Sequence, residues 1–449
     1  MLLPEIAELV LSAAKANGAT AADVVAVSGR SLTVAVRCGR IEKVAQAEEK
    51  QLGLRVFIGA RSAVAATANF APDALRDFAA ATCALAKVVA EDDCAGLPQI
   101  EACARDFPDL GLSDPHVRAL TPSAARQLAE RAESSALEYD ARIVNSEGAE
   151  CSTEFAQSWY ATTSGFAGGY ETTAASVSVV PVAKSSQGMQ RDYWYSAARR
   201  VEQLDSPEDI GRRAAERALR RLDARSVGTC EVPVVFDPET AASLLGHLSQ
   251  AVLGQAIFRG TSFLVGRLGQ RIAPEFVNIV DDGRIPAALG SKPFDAEGVA
   301  TRHTEVVREG HLCSYLLDCY SARRLGFPAS TGSASRAVGS APFASPTNFF
   351  LLPGKQAPEE IVRSVKRGLY VTNLIGFGVN QTTGDYSRGA SGIWIENGAL
   401  TFPVEEVTVA GNLLEMFSRI EAIGNDLELR RRVAAPTILI GKLTVAGRG

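Results

Sequence analysis

The stretch VVFDPETAASLLGHLSQAVLGQAIFRGTSFLVGRLG, Val234–Gly269, decides how the second half of the chain must fold. It opens as a short apolar run, turns at Asp237-Pro238, and continues as the least polar helix-length segment of that half. Between Thr240 and Ile257 only Ser243, His247, Ser249, Gln250 and Gln255 interrupt the apolar residues, and none is charged. A helix without charge on any face belongs inside a protein. Asp237 is placed to cap it and Pro238 sits where a missing N–H costs least. Gly254 and Gly260 are expected to close it. The single histidine, His247, has two readings. One is a core imidazole satisfied by its neighbours. The other is the remnant of a metal helix, which would need a second His and a Glu within one or two turns. The next histidines, His303 and His311, lie far down the chain and not at a zinc-helix spacing.

Working outward, 449 residues allow two to four domains with large cores. Apolar residues at 46% and charged residues at 22% describe an ordinary globular chain. The net charge of −5 argues against nucleic acid as a partner. The densest arginine run, Arg212–Arg225, alternates with Glu216 and Asp223, which suits a solvated helix face with i,i+4 pairs. No run is long and apolar enough to span a bilayer. Met1–Gly18 carries Glu5, Glu8 and Lys15 at helical spacing and reads as an amphipathic helix, not a signal peptide. Eight scattered cysteines without a C-x-x-C pair suit reduced thiols and a cytoplasmic setting.

The first 95 residues read as an α+β unit: the opening helix, strands at Asp23–Ser28, Ser31–Arg37, Glu49–Ile58 and Arg61–Ala68, then a helix from Asp73 to about Glu91. Gly29-Arg30, Cys38-Gly39-Arg40 and Gly59-Ala60 supply the turn signals. Residues 96–115, with Pro98, Pro108 and Pro115, read as a linker. Residues 116–225 form a second α+β unit, with a helix over Ser123–Ala136, strands in Ala141–Glu147 and Cys151–Val182, and a capped helix from Pro207 to about Asp223. From 230 to 449, short apolar segments punctuated by Gly, Pro and Thr predict a β-rich domain around the buried helix. The fold class is therefore α+β.

Three constellations could carry chemistry. Gly389-Ala-Ser-Gly392 resembles a nucleophile elbow, but Ile393 stands where the pattern needs glycine, and no histidine follows Ser391. Cys313 lies near His303 and His311 in sequence. The segment 299–317 is nevertheless expected to be a hairpin turning at Glu309-Gly310, with the two histidines on opposite strands. The glycine-dense stretch Gly376–Gly392 is not a phosphate-loop pattern. It places Asp385, Tyr386, Ser387 and Arg388 on an expected loop that could face a peptide or a partner.

Taken together, Pro293-Phe-Asp-Ala-Glu-Gly298, Tyr320-Ser-Ala-Arg-Arg-Leu-Gly326, Leu374-Ile-Gly-Phe-Gly-Val-Asn380, Thr383-Gly-Asp-Tyr-Ser-Arg-Gly-Ala-Ser-Gly392, Gly424-Asn-Asp-Leu427 and Leu443-Thr-Val-Ala-Gly447 resemble the TldD/PmbA family, in its PmbA (TldE) branch. The resemblance runs in order along nearly the whole chain and is most specific in the C-terminal half. In that family the TldD branch is a zinc metallopeptidase with H-E-x-x-x-H on the helix quoted above and a later cysteine ligand. Anchored on Gly254 and Ser262, those histidines fall on Leu245 and Gln250 and the glutamate on Gly246, and His247 falls out of place between them. No cysteine follows Cys319. The resemblance therefore implies a chain with no metal or catalytic residues of its own. Such a chain pairs with a TldD-like zinc subunit, or with itself when alone, and the pair degrades or trims unfolded peptides such as peptide-antibiotic precursors and antitoxins. His247, Asp385, Tyr386, Ser387 and Arg388 are the expected peptide- or partner-facing residues. Two other readings stay open: a stand-alone hydrolase using Cys313 and His311 or Ser391, and a non-enzymatic binder of a cytosolic target such as gyrase.

Overall fold

The computed structural model describes residues 2–448. Helix α1, Leu3–Ala16, buries Leu3, Ile6, Ala7, Val10, Leu11 and Ala14, a helical stripe that has to meet another apolar surface. That surface is a long hairpin, β1 Ala21–Arg37 and β2 Arg40–Ile58, followed by β3 Arg61–Thr67. Cys38 (φ 48°) and Gly39 (φ 71°) make the two-residue turn. Left-handed backbone at both central positions matches the twist of the strands they join. Helix α2, Pro72–Val88, packs beside α1, and their core contains Val24, Leu52, Leu54, Val56 and Leu75.

The turn expected at Gly29-Arg30 is absent, and β1 runs straight through it. Gly29 pairs with Glu49 of β2 on one side and with Ala156 of β4 (Ile143–Thr162) on the other. Pairing on both edges overrides a local turn signal, because leaving the strand would orphan two ladders of hydrogen bonds. With β5 Ala167–Ser185, β6 Gly188–Arg191 and β7 Trp194–Ala198, these strands form one seven-stranded sheet in the order β3-β2-β1-β4-β5-β6, with β7 also on β5. The segments 1–95 and 116–225 thus share a sheet, joined at β1–β4 from Asp23↔Thr162 to Val36↔Ala149. Helices Pro122–Glu138 and Pro207–Leu219 cover its far end over Leu32, Val34, Val36, Val177 and Val179. They approach closely at Gly211, where a Cβ would lie 2.4 Å from the Ala132 carbonyl oxygen.

In the C-terminal segment, β8 Gly228–Phe236 and strands Arg367–Ile375, Asp385–Glu396, Ala399–Asn412 and Ile438–Arg448 close on themselves. The last strand pairs both with β8 and with Ala399–Asn412. A smaller sheet holds Ile279–Asp282, His303–Arg308, His311–Leu312, Phe349–Leu351 and Val433–Ala434. The central helix, Pro238–Ala251, lies between the two, buried through Ala241, Leu244, Leu245, Leu248 and Ala251. The α+β class with a β-rich C-terminal part around a buried helix is the observed architecture.

The Asp237 side chain accepts from the Thr240 N–H at 2.9 Å, and Pro238 opens the first turn, as expected. The helix does not run to Ile257. It stops at Ala251 and a separate turn of helix spans Gly254–Phe258. Leu253 forms a bridge with Leu316, and the Gly254 N–H donates to the Leu316 carbonyl at 2.8 Å. A partner more than sixty residues away pulls the backbone out of the helical ladder. Gly260, at φ 69°, ends the second piece. Among the described residues no helix is long and apolar enough to cross a membrane.

Candidate functional site: the outer face of the central helix

One face of the central helix is not packed into the core, and it presents Ser243, Gly246, His247 and Gln250. Leu245, Gly246 and Gln250, the positions that the resemblance sets against ligands and base, differ in what they offer. Leu245 is fully buried among apolar side chains, Gln250 is an exposed amide, and Gly246 has no side chain. A Cβ built on Gly246 would meet nothing within 4 Å, so open space stands over this position. Leucine and glycine offer no donor and glutamine is a poor replacement for imidazole. The donor set does not fit zinc. Among the described residues no three His, Cys, Asp or Glu side chains are grouped to hold a metal ion.

His247 is half-buried at the edge of this face. Its Nδ1 lies 3.3 Å from Gln381 Nε2, and its Nε2 is buried without a hydrogen-bond partner. Burial, with the nearby Arg388 charge adding to it, pushes its pKa down to about 4, so the ring is neutral near pH 7. Tyr386 packs edge-on against it, ring centroids 6.0 Å apart, and burial raises the phenol to about 12.

The expected loop at 385–388 is in fact the start of strand Asp385–Glu396. Main-chain pairing to Ala399–Asn412 forces alternation there, and the four candidates separate. Asp385 and Ser387 are exposed, while Tyr386 is 1% exposed and turned inward. Tyr386 is therefore a packing residue and presents no outer surface. Arg388 also points inward and ties three elements together. Its Nη1 donates to Ser243 Oγ on the central helix at 2.7 Å, and its Nε donates to the Gly376 carbonyl at 3.0 Å. Asp385 accepts from Thr383 Oγ1 at 2.6 Å.

Two groups escaped the reading of the sequence. The first is the loop that Arg388 braces. Gly376 (φ 80°) and Gly378 bracket Phe377, which is fully exposed, next to Ile375 at 60%. Gly378 lies so close to the Ser387 carbonyl oxygen that a Cβ would sit 1.9 Å from it. An aromatic between two glycines was the available signal. The second group is at the start of the central helix, where Arg431 pairs with Glu239 and its Nε donates to the Tyr195 hydroxyl at 3.0 Å. Burial raises the Glu239 carboxyl, with Arg431 opposing. This contact joins the sheet of the first half to the start of the central helix, and no spacing in the sequence announces it.

The other constellations do not assemble. Strands His303–Arg308 and His311–Leu312 form the expected hairpin, with Glu309 and Gly310 at positive φ. His303 faces Asp282 at 3.1 Å, and His311 Nδ1 lies 3.1 Å from the Glu309 carbonyl. The exposed Cys313 thiol donates to the His311 carbonyl, not to an imidazole. Ser391 is buried, its hydroxyl without a partner. Neither arrangement couples a nucleophile to a base.

Comparison with known proteins gives the family and the fold. The profiles of PmbA/TldA metallopeptidase domain 1, central domain and C-terminal domain match residues 22–86, 115–222 and 229–447. The chain is 36% identical to Metalloprotease PmbA of Escherichia coli O157:H7 over 441 residues, 98% of this chain and 94% of that protein. A crystal structure of a candidate modulator of DNA gyrase from Bacteroides thetaiotaomicron superposes with a TM-score of 0.92 at 26% identity, covering 99% of each chain. TldE from Thermococcus kodakarensis shares the fold, with a TM-score of 0.88 at 20% identity over 98% of this chain and all of that one.

Proposed function

Since the chain belongs to the PmbA/TldD metallopeptidase family, and to its PmbA branch, we propose that it is the metal-free subunit of a two-component peptidase. A TldD-like zinc subunit carries out the cleavage, and this chain supplies the facing wall that holds an unfolded peptide. The observation that carries the reading is the central helix: the family's ligand helix is kept in place and capped, with Leu245, Gly246 and Gln250 where ligands and base belong. Without a metal to polarise a carbonyl and lower the pKa of a water, peptide hydrolysis would need an activated nucleophile. Cys313 and Ser391 are not paired with a base, which speaks against the stand-alone hydrolase.

The open space above Gly246, the neutral His247 and the exposed Phe377 form a wall suited to binding. It offers apolar surface and uncharged hydrogen-bonding groups, as an extended peptide of varied sequence requires. Short unfolded substrates such as peptide-antibiotic precursors or antitoxins match such a surface. All eight cysteines are free, in keeping with a reducing, cytoplasmic setting. Zinc content and peptidase activity of the purified chain, alone and mixed with a TldD-like subunit, test the proposal. Cleavage only in the mixture, with zinc only in the partner, is the expected result. Stoichiometric zinc and activity in this chain alone overturn it. The gyrase reading rests on how two solved structures of this fold are described; capture of gyrase with no TldD-like chain would favour it.

A further inference from the structure

We propose that a second cleft, away from the central helix, binds a small molecule carrying a phosphate group. The 96–115 segment does more than connect two units. Its residues Pro98, Gln99 and Ala102 form one wall of a cleft of about 630 Å³, and the short helix Cys319–Arg324 and the turn after it form another. The volume is that of a nucleotide-sized ligand. Arg284, Arg302 and Arg323 border the cleft, and no aspartate or glutamate lines it. The chain as a whole is acidic, at −5, so a cationic concavity is not an accident of composition.

All three arginines are held by backbone carbonyls. Arg284 Nε donates to the Thr301 carbonyl at 2.5 Å. Arg302 donates to the carbonyls of Ser330 and Thr331, at 2.5 and 3.0 Å. Arg323 donates to those of Cys94, Gly96 and Leu97, at 2.9, 3.1 and 2.5 Å. Carbonyls orient a guanidinium without neutralising it. None of the three has a carboxylate within ion-pair distance among the described residues, whereas most other arginines that are fixed in place here pair with Asp or Glu. The acids nearby are otherwise engaged. Asp282 accepts from the Arg284 backbone N–H and faces His303, and Glu297 is buried behind the wall, accepting from the Cys319 N–H at 2.7 Å. Three fixed guanidinium groups without a carboxylate partner suit a dianionic phosphate better than a single carboxylate, through their charge and the N–H groups that the carbonyl bonds leave free. Val299, Ala300, Ala322 and Phe327 add apolar lining that would cover the body of the ligand. An extended nucleic acid would need a basic surface that continues beyond the cleft.

Calorimetric titration of the full-length chain with adenosine monophosphate, pyrophosphate, adenosine and citrate tests this. Saturable one-to-one binding of adenosine monophosphate and pyrophosphate is expected, with none by adenosine. Arg302→Gln should weaken that binding by about tenfold or more, the loss of a charge-assisted contact. Arg302 and Arg323 also tether loops, so Arg284→Gln, which releases a single carbonyl, is the control that should keep the wild-type melting temperature and still bind more weakly. Absence of saturable phosphate binding would overturn the proposal, as would affinities unchanged in Arg284→Gln and Arg302→Gln. Tighter binding of citrate would replace the phosphate ligand with a carboxylate and overturn it equally.

Discussion

His247 shows what one side chain reports about the face it borders. Its folded pKa of about 4 lies below the ordinary 6.5 because burial and Arg388 disfavour the imidazolium. The unfolded chain therefore takes up this proton first as pH falls, and the fold loses stability from about pH 6.5 down to the folded pKa. Above that window the group is neutral in both states and contributes nothing to the pH dependence. The full shift corresponds to at most about 3 kcal/mol, and the remaining solvent contact of the ring reduces it. In His247→Gln the fall in melting temperature between pH 6.5 and 4 should be shallower than in the parent. Identical slopes would mean that the ring is hydrated and free to protonate. The same neutral ring could have been inferred from the sequence, because His247 lies near leucines in a stretch, Thr240–Ile257, that carries no charged residue. The inward turn of Tyr386 could not, since it depends on the 385–388 stretch being a strand in register with Ala399–Asn412.

At the scale of the element, the central helix and the short helix after it contain two glycines with opposite roles. A Cβ at Gly246 meets nothing within 4 Å, so Gly246→Ala should add helix propensity without a clash and stabilise by about 0.5–1 kcal/mol. A Cβ at Gly254 would sit 2.3 Å from Ser321 Oγ and 2.4 Å from its Cβ. Gly254→Ala should therefore cost about 1–3 kcal/mol as the two short helices are forced apart. Urea denaturation of both variants checks the pair, and a stabilised Gly254→Ala would show that the break after Ala251 is not set by this contact. The start of the helix was legible because its cap is local, Asp237 reaching Thr240 three residues on. Its end was not, because the bridge to Leu316 is made by residues far apart in sequence. The continuous β1 fails to show in the sequence for the same reason: a Gly-Arg pair signals a turn until two neighbouring strands claim it.

At the scale of the whole molecule, the two halves are fastened by a loop that leaves the C-terminal part between the short strands Ala334–Ser335 and Phe343–Ala344. Val338 crosses β2 so closely that a Cβ on Gly53 would lie 1.8 Å from its carbonyl oxygen. Beside it, Arg336 donates to Asp23 of β1 at 2.6 Å, and Arg55 of β2 reaches the same carboxylate at 2.5 Å. Asp23 is fully buried. Burial works against its charge, but Arg55 and Arg336 hold its carboxyl below the usual range. The two arginines are also balanced by Glu297, 3.7 Å from Arg55, so the cluster is two cations against two acids. Removing one member leaves a charge stranded in a medium that cannot solvate it, which costs more than the pair itself contributes. Arg336→Met should therefore destabilise by about 3–5 kcal/mol. Since Arg336 touches the first half only through this loop, the loss should appear as a lower denaturation midpoint for both halves together. Asp23→Asn combined with Arg336→Met removes charge of each sign, and should recover part of the loss in a double-mutant cycle. Additive losses would mean that the ion cluster is a passenger and that the halves are held by their other contacts, those around Gly53 and the Arg431–Tyr195 contact among them.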